Sequence, residues 1–233
     1  MSVGKEQFVF LDVETTGLDS KKNAIHQLSG CIDIDRRAVQ AFNFRVKPFE
    51  QDEIEDIALE IGHTTRAQLD TFTPPEVVFA YWTKLLDKYV LKYNKNDKFV
   101  FVGYNSPFDK QFMVDFHVKN KHNYFFSYFR SADLCVMRMY MERCVTFNKF
   151  PPNFKLANVC KQLGLAEPDD KRWHDAMFDV RMTRAAFYML KDWEAENPSD
   201  WDAITLTNSD IPVVYDTTNE PFQMKRRSNA TKS

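Results

Sequence analysis

The sequence predicts an α/β fold on a mixed sheet, and three patterns carry that prediction. Three strand-like runs follow one another at the start of the chain. A fourth comes after a long amphipathic stretch, and the second half is patterned mostly as helices. The three consecutive runs suit an antiparallel meander.

Phe8–Val13 is short, apolar and rich in β-branched and aromatic residues, which suits a buried strand. Thr15-Thr16-Gly17-Leu18-Asp19-Ser20 supplies turn chemistry after it. Ala24–Ile34 and Val39–Val46 are the next strands, joined by the polar hairpin segment Asp33-Ile34-Asp35-Arg36-Arg37. Glu53–Leu59 reads as a short helix, and Thr64 as the cap of a helical turn ending at Leu69. Val78, Trp82, Leu85, Leu86 and Tyr89 share one helical face in Glu76–Tyr93.

Lys98–Gly103 is the fourth strand, and Ser106 is expected to cap a helix after it, with Pro107 at the first helical position and Phe108, Phe112 and Phe116 every four residues. Ser131–Tyr140 reads as a helix starting near Ser131. Asn153 is expected to cap another helix, which carries Leu156, Val159, Cys160 and Leu163 on one face and stops at Gly164. His174–Trp193 is the last long helix. The expected division is a domain over 1–195 and an extension over 196–233. Within that extension Thr205–Tyr215 adds local structure and Gln223–Ser233 forms a mobile basic tail.

With 44% hydrophobic and 27% charged residues in 233, the chain is globular in composition, which excludes disorder along its whole length and fibrous repeats. Its apolar runs are too short to span a bilayer, and no signal peptide precedes the first strand, so the expected setting is cytoplasmic, with no membrane partner. Cys31, Cys135, Cys144 and Cys160 form no C-x-x-C pair, which argues against a metal knuckle or a disulfide framework. The 31 basic residues against 33 acidic ones leave a net charge of -2, so nothing global advertises a nucleic-acid partner.

The acids are more telling. Asp12 and Glu14 stand two apart at the end of a buried strand, so both leave the same face. Two carboxylates side by side in apolar surroundings repel unless a cation neutralises them, and hard oxygen ligands suit Mg²⁺ or Mn²⁺. Asp109 falls in the first turn of a helix after a strand, where ligands collect in open α/β sheets. The helix dipole alone also favours an acid there. Asp179 lies about one and a half turns into the last helix, near its inward face, where an unpaired carboxylate is costly. Asp175 reads as an ordinary acid of the helix N-terminus.

Phe10-Leu11-Asp12-Val13-Glu14-Thr15-Thr16-Gly17-Leu18 resembles the first motif of the DEDDh, or DnaQ-like, 3′–5′ exonucleases. Gly103-Tyr104-Asn105-Ser106-Pro107-Phe108-Asp109 resembles the second, and His174-Asp175-Ala176-Met177-Phe178-Asp179 the third in its histidine form. The likeness runs from about Phe8 to Leu190 with the motifs in order. It implies a ribonuclease H-like fold: a mixed five-stranded sheet, antiparallel meander plus parallel strands, flanked by helices. It also implies two Mg²⁺ or Mn²⁺ ions held by Asp12, Glu14, Asp109 and Asp179, with His174 as general base. Two cations about 4 Å apart can activate water and stabilise a leaving 3′-oxygen, and a neutral imidazole can take the water's proton.

The same resemblance makes Thr15, Thr16, Gly17, Asn105 and Phe108 candidates for contact with the terminal nucleotide. The family's H-G-I-T turn stands here in altered order as Ile61-Gly62-His63-Thr64, which brings in His63 and Thr64. Tyr104 and Gln27 replace a His and a Glu common at their positions. His26, His117 and His122 have no partner pattern and read as surface or structural, and Tyr124–Phe129 as packing rather than a base-stacking platform.

The expected activity is hydrolysis at the 3′ end of single-stranded or frayed DNA, releasing nucleoside 5′-monophosphates, with proofreading or repair as its use. A polymerase or repair complex and a second copy of the chain are candidate partners. RNA trimming is the alternative substrate reading. A catalytically silent nucleic-acid- or polymerase-binding module is the alternative of another class, as is a structural protein clamping one metal. Near-neutral charge then suits an enzyme that grips a chain end through metals rather than a long duplex through lysines.

Overall fold

The computed structural model describes residues 5–192 and 213–216. Strands β1 (Gln7–Thr15), β2 (Ile25–Ile34) and β3 (Arg37–Arg45) form the antiparallel meander. The β2–β3 turn places Asp35 and Arg36 at φ 49° and 66°, the left-handed pair that a tight two-residue hairpin requires. Three helices follow: α1 (Asp56–Ile61), α2 (Arg66–Leu69) and α3 (Pro75–Leu86). Strand β4 (Phe99–Gly103) then pairs parallel to β1 and leads into helix α4 (Ser106–Lys119). Strand β5 (Phe129–Cys135) pairs parallel to β4 and runs into α5 (Val136–Phe147), followed by α6 (Leu156–Gln162) and α7 (Ala176–Lys191).

The expected five strands are thus joined in one mixed sheet flanked by helices. A short sixth strand, β6 (Val213–Asp216), adds parallel to β3 and gives the order β5-β4-β1-β2-β3-β6. The remaining calls on 196–233, including the mobile basic tail, lie outside the described residues.

Alternation along the strands sorts two cores. Val9, Leu11 and Val13 of β1 join Leu28, Ile32, Phe42, Phe44, Phe99 and Phe101 beneath α3 and α4. Phe8 and Phe10 point the other way, with Cys31 and Val102, against α5, α6 and α7. Gly30 leaves room for the Phe42 ring, since a Cβ there would lie 2.2 Å from its Cζ.

The structure corrects several local expectations. Ser131 begins no helix: residues 129–135 are a strand, and the helix starts at Val136. Pairing with β4 fixes this segment as an edge strand, and only Phe129 and Cys135 of it are buried. The helix expected through Tyr93 ends at Leu86. The first short helix covers Asp56–Ile61 rather than Glu53–Leu59.

The cap before Leu69 is Thr65, which forms a reciprocal capping box with Gln68, not Thr64. Asn105, not Ser106, precedes α4, and α6 begins after Lys155. Asn153 instead accepts the Lys155 amide and the Asn158 side chain. Gly164 does follow the end of α6 at φ +68°.

His26 and His117 are fully buried, so neither is a surface residue. His117 Nε2 accepts the Trp82 indole N–H at 3.0 Å, a structural role. Of the Tyr124–Phe129 run, Phe125, Tyr128 and Phe129 are core, while Tyr124 and Phe126 are exposed. All four cysteines are free and buried. No described helix is long and apolar enough to cross a membrane.

Candidate active site

The site follows from the pleat of β1. Phe8 and Phe10 pack edge-on against Phe187 of α7, with ring centroids 5.2 and 5.3 Å away. Asp12 and Glu14 continue the same face toward the carboxyl end of the strand. Asp179 lies about two turns before Phe187 on α7, so the helix carries it back over those two acids. Ligand oxygens of Asp12, Glu14 and Asp179 all lie within 4.8 Å of one another.

Asp109 arrives from the neighbouring parallel strand through the first turn of α4 and is buried. Its Oδ1 accepts the Val13 backbone N–H at 3.1 Å, and it stands beside the tighter three-acid group rather than within it.

Burial and mutual repulsion govern the charges. Burial first, then Asp109, Asp179 and Glu14, lift Asp12 well above the ordinary carboxylate range. Burial, with Asp179 and Asp109 next, pushes Glu14 up to about 8, against a partial opposing pull from Arg45. Asp109 rises to about 7 through burial, moderated by the amides that donate to it. Asp179 rises to about 7 through burial, moderated by a hydrogen bond from the His174 backbone.

Four oxygen-donor groups that resist ionisation together are a poor arrangement for an empty site and a suitable one for hard divalent cations. Asp179 Oδ1 is buried and has no hydrogen-bond partner among the described residues, as a ligand atom without its cation would be. The residues therefore fit the implied metals.

His174 precedes α7 at φ 68°, a left-handed conformation that costs a non-glycine residue about 1–2 kcal/mol. Asp175 makes the following turn by capping the helix, its Oδ1 accepting the Phe178 amide at 3.0 Å. The His174 ring is exposed and lies 6.5 Å from that of His63, whose backbone is also left-handed at φ 49°. Partial burial first, then His63 and Lys155, lower the pKa of His174, which favours neutral imidazole near pH 7.

The other sequence candidates separate by exposure. Thr15 donates its hydroxyl to the Gly17 carbonyl at 2.7 Å. Thr16 is fully buried, its hydroxyl donating to Glu53 O and accepting from the Ala24 amide. A Cβ on Gly17 would strike Glu55 and Asn23. Thr64 is buried and bonded to Gly62 O, whereas His63 is exposed. Asn105 is exposed, and Phe108 is half-buried with its ring 4.9 Å from that of Phe112.

Leu18, Ile57 and Ile61 are apolar yet 81%, 62% and 55% exposed. Their loop and helix are joined by the Glu55 amide donating to Thr16 O. Only exposure marks these three, and no spacing in the sequence carries it.

Four acids converging at the carboxyl edge of a mixed α/β sheet form a site of the kind that suits divalent cations. Residues 9–187 match the exonuclease family RNase_T, and the chain belongs to that family. A relative among characterised proteins is the 3′–5′ DNA exonuclease Cap18 of Escherichia coli, 26% identical over 199 residues. The match spans 82% of this chain and 94% of Cap18.

Among solved structures, E. coli exonuclease I in complex with a dT13 oligonucleotide superposes with a TM-score of 0.64 at 18% identity. That match covers 80% of this chain but only 41% of exonuclease I, so the chain spans well under half of that protein's length. A 3′-exonuclease that recognises the histone mRNA stem-loop matches with a TM-score of 0.61 at 16% identity, covering 82% of this chain and 84% of that one.

Proposed function

We propose that this chain is a divalent-metal-dependent 3′–5′ exonuclease that removes nucleoside 5′-monophosphates from the ends of single-stranded or frayed DNA. The observation that carries the reading is the convergence of Asp12, Glu14 and Asp179 within 4.8 Å, with Asp109 alongside. These four would hold two Mg²⁺ or Mn²⁺ ions. When bound, such ions lower the pKa of water and neutralise charge on a phosphate.

The chain's own residues supply the rest. His174, held ahead of α7 by its left-handed backbone and the Asp175 cap, accepts the proton of the attacking water on its neutral imidazole. Thr15 and Gly17 shape the turn that receives the terminal nucleotide. Leu18, Ile57 and Ile61 offer apolar contact to its base, and His63 and Asn105 line the rim. Thr16, Thr64 and Phe108 act by holding these segments in place.

DNA is favoured by the likeness to Cap18 along nearly that protein's whole length. RNA is the second reading, favoured by the comparable superposition on the histone mRNA exonuclease. The cellular use we propose is repair or proofreading of DNA ends in the cytoplasm, by a monomer, a homodimer or a subunit beside a polymerase.

The test is cleavage of 5′-labelled oligonucleotides in Mg²⁺ or Mn²⁺, as single-stranded, duplex and mismatched DNA and as RNA of the same sequence. The expected result is shortening from the 3′ end, fastest on single-stranded DNA and absent in Asp12→Ala and Asp179→Ala. Full activity in either variant would overturn the assignment, and faster loss of RNA would move it to the second reading.

A further inference from the structure

We propose that Asp133, on the edge strand β5, is a positioning residue for the site: it braces the first turn of α4 and thereby sets Asp109. The inference rests on the reading that Asp109 helps hold a divalent cation.

Asp133 lies opposite Phe101 in the β4–β5 register. Phe101 packs in the core that also holds Phe112, Met113 and Phe116 of α4, so Asp133 shares the face that α4 covers. Both of its carboxylate oxygens are engaged by that helix. Ser106, the first helical residue, donates its hydroxyl to Asp133 Oδ2. Lys110, one turn later, donates from Nζ to Asp133 Oδ1 at 2.7 Å and also reaches the Ser131 carbonyl.

The pair is shielded: the Lys110 and Asp133 side chains are 15% and 18% exposed. Ion pairs withdrawn from water are far less screened than surface pairs. The two anchors bracket Asp109 in sequence, one three residues before it and one directly after.

Little slack is left around this turn. A Cβ on Gly103 would lie 3.1 Å from Ser106 Cα and 3.4 Å from Asp109 Oδ2. From the other side, the Val13 amide fixes Asp109 Oδ1. The turn is therefore pinned to β1 through Asp109 itself and to β5 through Asp133. Without the β5 anchor, the Val13 amide, the Asp109 amide and packing would be left to hold the carboxylate in register with Asp12 and Glu14. Groups that orient metal ligands without touching the metal typically carry a 10–100-fold effect on affinity or activity.

The test compares Asp133→Ala and Asp133→Asn with Phe129→Leu, a core change on the same strand that touches none of these bonds. Calorimetric titration with Mn²⁺ is the primary readout, and metal-dependent cleavage the second. We expect D133A to bind Mn²⁺ about tenfold more weakly and to need about tenfold more metal for half-maximal rate, with unchanged KM for the oligonucleotide.

D133N, which still accepts from Ser106, should fall between D133A and the wild type. F129L, at a matched loss in thermal midpoint, should keep wild-type Mn²⁺ affinity. Wild-type affinity in D133A, or an equal loss in F129L, would overturn the proposal. A wild-type protein that binds Mn²⁺ but cleaves nothing would count against the proposed function, while the calorimetric comparison would still decide the role of Asp133.

Discussion

The Val13 amide donates to Asp109 Oδ1 at 3.1 Å, tying the start of α4 to the strand that carries Asp12 and Glu14. Asp109→Asn keeps an oxygen for that bond and removes one of four charges that repel each other. The variant should lose about 100-fold or more in kcat, beyond the loss typical of groups that merely orient metal ligands. In chelator it should melt higher than the wild type. Oligonucleotide hydrolysis and thermal denaturation in EDTA check the two halves.

The raised acids also set a pH dependence. Glu14, Asp109 and Asp179 titrate near 8, 7 and 7 when folded, against 4.5, 3.8 and 3.8 as ordinary side chains. A raised carboxyl binds its proton more tightly in the folded state. Its contribution is therefore fully present below about pH 4 and is lost as pH rises through 7 to 8. Metal-free protein should show a falling thermal midpoint from pH 5 to 8, and saturating Mg²⁺ or Mn²⁺ should raise it most at the alkaline end. A midpoint that climbs with pH in EDTA would contradict this account.

At the far end of the sheet, Arg184 of α7 is paired with the fully buried Asp33 of β2, with Nε–Oδ2 at 2.6 Å. Removing one partner leaves a stranded charge, so Arg184→Ala should lose about 3–5 kcal/mol in urea unfolding. The double change Arg184→Met with Asp33→Leu should recover most of that. Exonuclease rate per folded molecule should stay near wild type in the double variant, because the pair lies away from Asp179.

His174 separates catalysis from backbone strain. His174→Ala and His174→Gly should both lose the proposed general base and with it most of the exonuclease rate. The glycine variant should unfold at higher urea, by about 1 kcal/mol, because φ 68° costs glycine nothing. Equal midpoints would show that the left-handed turn is not strained.

Some of this was legible in the sequence for local reasons. A period of two puts Asp12 and Glu14 on one face, and a Ser-Pro start places Asp109 in a first helical turn. Strand β5 was not legible because an edge strand need not alternate: five of its seven residues, Arg130 to Leu134, face solvent wholly or in part. The helical reading of Ser131–Tyr140 followed from that missing signal. The Asp133–Lys110 and Arg184–Asp33 pairs join residues 23 and 151 apart, and nothing local announces such partners. His26 and His117 were likewise opaque, since their burial depends on the strands and helices packed around them.

The parallel placement of β4 beside β1, with α7 packed across β1 and β2, has a consequence for biosynthesis. The acids come from positions 12, 14, 109 and 179, so a nascent chain carries no complete cluster until Asp179 has been made. The central strand β1 waits some ninety residues for its parallel neighbour, a non-local pairing that slows folding. A ribosome stalled anywhere before α7 would release a fragment unable to assemble this cutting centre.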